Sequence, residues 1–421
     1  MTDGPAPPRA KREHEREHEA LVGFVGRLTR LLLGSSGEGA EQIERSVTSA
    51  ARGLGGSASL AVLPDAATVA VDSHGRRSTV VVRAFPEVFR MDQVAALKPL
   101  LDDVAAGRLD TARADRRLTA ITDAPPPYPW WAKLVGIVLF SVGFAPLMQP
   151  TWYEVGSTAV LAAVAAVLAV AADRLPRLAK VLPLIVSVTI SLITLEVFAR
   201  TPAHGGPVLL MLPALFFFVP GDYLSAAAAE LAAGYLTTGA IRLVYAVALL
   251  VQLYVGVVLG LVITGRSRHA LFDVAAQADL PRWALFAGWT VFTAGALLAF
   301  AMPARLLGRL LLLVYLTVGV QTGFTKLLGE VGGTFTAAVV LGAVATRLAR
   351  RPGQPPRILL VLPGFFTLTV GSLGMRGLTA LAGGYPIKGF RDLTELVTIV
   401  TAIGMGLLLG AVLAERPGGG D

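Results

Sequence analysis

The chain has 421 residues, 54% of them hydrophobic and 16% charged, with a mean hydropathy of +0.64, which is too apolar for a soluble protein of this length and places it in a membrane. It has no cysteine, so disulfides, thiolate metal sites and thiol nucleophiles are excluded. Residues 1–131 hold 17 of the 37 Lys/Arg and 17 of the 29 Asp/Glu, so the whole net charge of +8 lies beyond them, where basic loop ends meet anionic lipid and nucleic acid is not needed to explain it.

Residues 1–19 begin Pro-rich and become charged, a composition expected to form a disordered tail. No apolar core follows Lys11, Arg12, Glu13, His14, Glu15 and Arg16, so no cleavable signal is expected and the N-terminus is placed in the cytoplasm. His14 and His18 have H-E-x-x-H spacing, which sets two imidazoles on one helical face for zinc. With no apolar frame around it and no third ligand nearby, the motif reads as a solvated charged stretch. Helical spacing over 20–33 and 39–54 predicts two helices, and alternation over 59–63, 68–71 and 78–85 predicts three strands with a turn at 72–77. Residues 91–106 and 111–121 read as helices split by Gly107, so 20–124 is expected to form a small cytoplasmic α/β domain. It carries no recognisable catalytic set, and no phosphate loop or nucleophile elbow occurs anywhere, so enzymatic activity is not expected. Pro125, Pro126, Pro127 and Pro129 make a stiff linker over 125–131 that ends in Trp130 and Trp131, anchors for a membrane interface.

Ten apolar segments follow, at 131–148, 155–172, 181–199, 208–225 and 243–264, then 283–302, 306–321, 332–346, 358–373 and 396–413, each about the length of one crossing. The two sets of five are copies. Leu209, Leu212, Pro213, Phe216, Gly221, Gly234, Tyr235, Gly239 and Gly256 recur 150 positions later as Leu359, Leu362, Pro363, Phe366, Gly371, Gly384, Tyr385, Gly389 and Gly406. With a shift of 152, Trp131, Gly136, Phe140 and Gly143 match Trp283, Gly288, Phe292 and Gly295. Matching leucines arise by chance in an apolar chain, whereas Pro and Gly fall where backbone geometry is specified. An odd number of crossings per copy turns the second upside down, which is the inverted-repeat plan of secondary transporters. The expected fold is a polytopic α-helical membrane protein of about ten transmembrane helices, in two inverted five-helix repeats at 132–265 and 283–414, preceded by the soluble α/β domain. Loop charge agrees, because Arg347, Arg350, Arg351 and Arg357 crowd one linker whose repeat counterpart has only Arg200 nearby.

At this point a family resemblance appears. Arg108, Leu109 and Asp110, then Arg117, Leu118, Ile121, Pro125, Pro126, Pro127, Tyr128 and Pro129, resemble the end of the cytoplasmic domain of the threonine/serine exporter family. Gly39, Ala40, Ile43 and Glu44 are similar to that family's Gly-Ala…Arg-Val-Glu signature, with Gln42 in place of Arg. Val219, Pro220 and Gly221 followed by Glu230, Gly234, Thr238, Gly239 and Arg242 resemble its Pro-Gly…Asp…Gly…Ser-Gly…Arg pattern, Glu230 and Thr238 being conservative departures. In the second repeat Val370 stands where a Pro would be usual. The resemblance covers nearly all of the chain after the tail and implies export of small amino acids from the cell, driven by the proton gradient. Related proteins are linked to dicarboxylate efflux, and a membrane-tethered sensor acting through the α/β domain is the reading from another class. Broken membrane helices that carry carboxylates favour a carrier over a sensor.

Pro220 removes a backbone donor inside an apolar segment and Gly221 eases a bend, so a broken helix there offers backbone groups to a substrate, with Gly371 as the repeat counterpart. Glu230, Asp222 and Glu196 are acids near membrane depth, costly unless paired, hydrated or protonated, and are the proton-coupling candidates, Glu230 first. Arg242, twelve residues beyond Glu230, can clamp a substrate carboxylate, or else anchors the foot of the next span. Arg376 is a weaker candidate of the same kind, and Thr238 and Ser372 can meet a substrate hydroxyl or simply pack between helices. The expected partners are a small-molecule substrate, protons and bilayer lipid, with self-association left open and no metal or cofactor. The inverted plan is checked by single cysteines, since the chain has none of its own. In intact cells a membrane-impermeant thiol reagent should label Ala203→Cys and spare Gly353→Cys; equal labelling of the two would contradict the inversion.

Overall fold

The structure is a computed structural model that describes residues 8–34, 39–84, 90–149, 151–200, 206–267, 280–351, 353–368, 377, 380 and 385–414. The chain divides into two units, Met1–Pro126 with Tyr235–Thr238, and Pro127–Gly234 with Gly239–Asp421.

In the first unit, helices α1 (Pro8–Gly34), α2 (Ala40–Gly53), α3 (Met91–Ala105) and α4 (Thr111–Asp123) accompany strands β1 (Ser57–Val62), β2 (Ala66–Ser73) and β3 (Arg76–Arg83). The strands form one antiparallel sheet in the order β1-β2-β3, with Val69 opposite both Leu60 and Val80. Alternation sends Ala67, Val69 and Val71 of β2 into the core. There they join Leu21, Phe24, Val25 and Leu28 of α1 at helical spacing, Ile43 and Val47 of α2, and Leu118 of α4.

The expected disordered tail is corrected here, because α1 begins at Pro8 and carries residues once assigned to the tail into the domain. Its charged turns are held by partners from the hairpin. His18 is buried with Nδ1 2.7 Å from the Ser73 hydroxyl and Nε2 2.7 Å from the Ser78 hydroxyl, and Arg76 donates to Glu15 at 2.6 Å. His14 stacks on His74 instead, so the two histidines of the H-E-x-x-H motif do not converge and the segment is a packed helix.

The second unit holds α5 (Trp130–Phe144), α6 (Trp152–Arg174), the short α7 (Pro176–Ala179), α8 (Leu182–Glu196), α9 (Pro207–Leu215), α10 (Gly221–Ala232), most of α11 (Leu236–Thr264), α12 (Arg282–Ala299), α13 (Leu307–Ala349), α14 (Arg357–Phe366) and α15 (Pro386–Ala414). Among the described residues seven helical stretches are long and apolar enough to cross a bilayer, or eight when the bent pair Pro207–Phe218 and Gly221–Ala232 is one span. The chain is a polytopic helical membrane protein with a small sheet near its N-terminus. At 43 residues α13 is about 65 Å of helix, twice what one crossing needs, and it breaks at Gly329, whose φ of 74° and ψ of 178° suit glycine alone. The chain folds back there. Gln321 donates to the Thr334 hydroxyl at 3.1 Å, although thirteen residues of straight helix would hold them about 20 Å apart.

Two expected boundaries move. The segment read as starting at 243 begins at Leu236, and the one read as starting at 396 begins at Pro386, so Arg242 and Asp392 lie inside helices rather than at their feet. Apolar content alone missed the first turns of both helices, which mix Thr, Lys, Arg and Asp into the apolar pattern.

Helices α5 and α12 meet through matched glycines. A Cβ on Gly143 would strike Phe292, one on Gly295 would strike Phe140, one on Gly136 would strike Leu298, and one on Gly288 would lie 3.3 Å from Pro146. Residue numbers rise on one helix as they fall on the other, so the pair is antiparallel. The contacts are also reciprocal under the 152-residue shift, as across a twofold axis. Phe140 stacks on its own repeat counterpart Phe292 with centroids 4.6 Å apart, and Phe216 meets its counterpart Phe366 at 6.0 Å.

Gln149 performs a local repair that the sequence did not advertise. Pro213 cannot donate to the Leu209 carbonyl four residues back, and the buried Gln149 amide donates to that oxygen at 2.8 Å and to the Thr158 hydroxyl at 2.8 Å. Gln149→Leu should therefore destabilise the protein by about 1–3 kcal/mol, the cost of orphaning buried polar groups. Thermal unfolding in detergent checks this, and an unchanged midpoint would remove the amide from that role.

Candidate functional site in the membrane unit

The site begins with the broken span. After Phe218 the helix stops, and Pro220 sits at φ −79° and ψ 51° with the Gly221 N–H donating to the Val219 carbonyl at 2.8 Å, an inverse γ-turn. The chain leaves it bent by 63°, and α10 starts at Gly221 with Asp222 in its first turn, where the helix N-terminus favours a carboxylate. Glu230 lies eight residues on, about 12 Å along the helix, in the last turn and a half of α10.

Gly234, at φ 87°, then reverses the chain, a left-handed conformation that costs glycine little. Gly239 lets α11 return closely along α10, because a Cβ there would lie 2.7 Å from Leu231 and 3.0 Å from the Ala227 carbonyl. One turn later Arg242 reaches Glu230, with Nε 3.1 Å from Oε2 and the two side chains only 3% and 6% exposed. Tyr223 of α10 and Tyr245 of α11 also pack on one another, with ring centroids 5.1 Å apart.

The sequence-predicted residues divide on this geometry. Pro220, Gly221 and Asp222 open α10, and Glu230, about 12 Å further along it, pairs with Arg242 of α11. Glu196 does not join them, being a half-exposed residue at the end of α8 paired with Arg200. Thr238 is buried and falls in the first unit, its hydroxyl donating to the Val62 carbonyl at 3.4 Å. Gly371, Ser372 and Arg376 lie outside the described residues.

Residues of the N-terminal family signatures hold the first unit together. Asp110 caps α4 by accepting from the Arg113 N–H at 2.7 Å. Arg108 and Arg117 both donate to Asp103 of α3, at 2.7 and 2.6 Å, and these hydrogen bonds hold its carboxyl below the usual carboxylate range. Gly39 precedes the first residue of α2, and Ala40 and Ile43 enter the core.

Sequence reasoning missed Asp392, which is buried in α15. The signal was available, since Asp392 stands 150 positions after Arg242 in the same repeat alignment that pairs Gly239 with Gly389.

Breaking the buried pair from one side should be costly. Arg242→Gln is expected to lose about 3–5 kcal/mol because it strands a buried carboxylate, while Glu230→Gln combined with Arg242→Gln should lose much less than the two single losses together. Unfolding midpoints of the four proteins measure the coupling, and additive losses would show that the pair is not energetically joined.

Comparison with known proteins agrees with this architecture. The chain is 27% identical over 339 residues to a Mycobacterium tuberculosis protein described as a "Probable threonine/serine exporter", an alignment that takes in 77% of this chain and 62% of that protein. The chain thus spans about 62% of the length of that relative. No solved structure matches. The sequence profile of the threonine/serine exporters matches residues 23–264, more than half of the chain, from α1 through the broken span and the Glu230–Arg242 pair to the end of α11, and the chain belongs to the threonine/serine exporter family.

Proposed function

We propose that this protein exports threonine, serine or a similarly small amino acid across the plasma membrane in exchange for protons. The observation that carries the reading is the buried Glu230–Arg242 pair beside the Pro220–Gly221 break. In this reading 20–124 is cytoplasmic with a regulatory or structural role, and the membrane part is two inverted five-helix repeats. The antiparallel, reciprocal packing of α5 on α12 and the contacts of Phe140 with Phe292 and of Phe216 with Phe366 support the inversion.

An α-amino acid carries one carboxylate and one ammonium, which match the opposite charges of Arg242 and Glu230. A substrate entering between them puts its carboxylate on the guanidinium, where bidentate geometry is available, and its ammonium on Glu230. Without substrate the two side chains neutralise one another, so the empty site carries no stranded charge. A proton on Glu230 removes the charge that the ammonium needs. Proton and substrate therefore exclude one another, which is the condition for exchanging them across a membrane. Asp222, in the first turn of α10, is the second acid on the proton path.

Vesicles preloaded with labelled threonine, serine or succinate test the function, with and without an inward proton gradient. The expected result is gradient-stimulated efflux of threonine and serine and none of succinate. Efflux of succinate alone would make the protein a dicarboxylate carrier, and no transport of any of the three would favour the sensor. In the same vesicles, whatever exchange Glu230→Gln retains should no longer respond to pH. Normal gradient-driven export by that variant would remove Glu230 from the proton path.

A further inference from the structure

The second repeat carries a charge that the site around Arg242 does not use. Asp392 is only 2% exposed, and its Oδ2 has no hydrogen-bond partner among the described residues. The basic groups on α15 and on the described helices that touch it include Lys388, Arg391, Arg309, Lys326, Arg347 and Arg357, the last donating to the Leu407 carbonyl, and none of them forms an ion pair with Asp392. The acids on those helices, Glu395, Glu330, Asp222 and Glu230, bring no neutralising charge.

Other buried acids of the membrane unit are compensated. Glu230 has Arg242 and Glu154 closes a capping box with Thr151, while Asp222 sits at a helix N-terminus. A buried carboxylate with no fixed partner costs several kcal/mol in a desolvated site, so a residue kept in that state is one that a transient cation neutralises. Its position gives the charge a place. Asp392 follows Arg242 by the 150 residues of the repeat, and α11 and α15 each begin six residues before it.

We propose that Asp392 is a cation-binding residue of the transport pathway, the second repeat's counterpart to Arg242, which takes the coupling proton or the substrate ammonium. This rests on the exporter reading above. An inverted pair of repeats sets the two residues at matching depths on opposite sides of the midplane, so the pathway has a compensated charge pair in one half and an open carboxylate in the other.

The test uses the full-length protein with Asp392→Asn and Asp392→Glu. A site kept open for a ligand is held at the expense of stability, so Asp392→Asn should unfold at the same temperature as wild type or higher in detergent. Gradient-driven threonine export by Asp392→Asn should fall at least about tenfold, one decade of rate being about 1.4 kcal/mol, while Asp392→Glu keeps part of it. Unchanged threonine counterflow in Asp392→Asn identifies the cation as the coupling proton, and a raised KM for counterflow identifies it as the substrate ammonium. Wild-type rates in both modes would overturn the proposal. So would a lower melting temperature in Asp392→Asn together with lost export in Asp392→Glu, the pattern of a structural residue. If the wild-type protein moves neither threonine nor serine, the exporter reading fails, and the melting comparison alone decides the role of Asp392.

Discussion

The membrane unit is organised around one electrostatic constraint, that a carboxylate and a guanidinium removed from water must answer each other. Glu230 and Arg242 are twelve residues apart and would be separated by about 18 Å on one straight helix. They meet because Gly234 reverses the chain at a positive φ and Gly239 admits α11 against Leu231. The apolar helices around them supply the low dielectric that makes the pair strong when made and costly when parted. An ion pair of this kind is weak evidence for stability and better evidence for a site, because packed hydrophobic residues would fill the same space with less risk.

The break at Pro220 matters for the same reason. Residues 216–220 leave the α-helical ladder, and the inverse γ-turn satisfies only part of that backbone. Asp222 stands in the first turn of α10 directly after that turn, with Glu230 eight residues further on. The neighbouring proline, Pro213, is repaired differently. Gln149 covers the carbonyl that it orphans, so that kink is packed and closed whereas the Pro220 break stays beside the charges.

Much of this was legible in the sequence because glycine and proline carry backbone information that apolar residues do not. The 150-residue recurrence of Pro213 and Gly239 pointed to a repeat, and Gly143, one of the residues that recur at 152, packs closely on Phe292. Pro220, Asp222, Glu230 and Arg242 were nominated from residue type and position, and of these Glu230 and Arg242 form an ion pair. The misses share a cause, since a charge near a helix end looks like a loop until its partners are known. Glu196, nominated as an acid near membrane depth, is half-exposed and paired with Arg200, and Asp392, which the sequence reading passed over, is buried. The first residues of the chain misled in the same way. Their charges read as a solvated tail, but Ser73 and Ser78, some sixty residues away, bury His18 between them.

Mutual exclusion of proton and amino acid at one buried acid is the central claim, and proton stoichiometry on binding tests it most directly. Threonine added to the purified, weakly buffered protein at a pH low enough to protonate Glu230 should release protons, because the ammonium takes over a carboxylate that a proton had occupied, and the linkage is reciprocal. Release should vanish in Glu230→Gln. Proton uptake on binding, or binding with no net proton change at any pH, would contradict exchange through that pair.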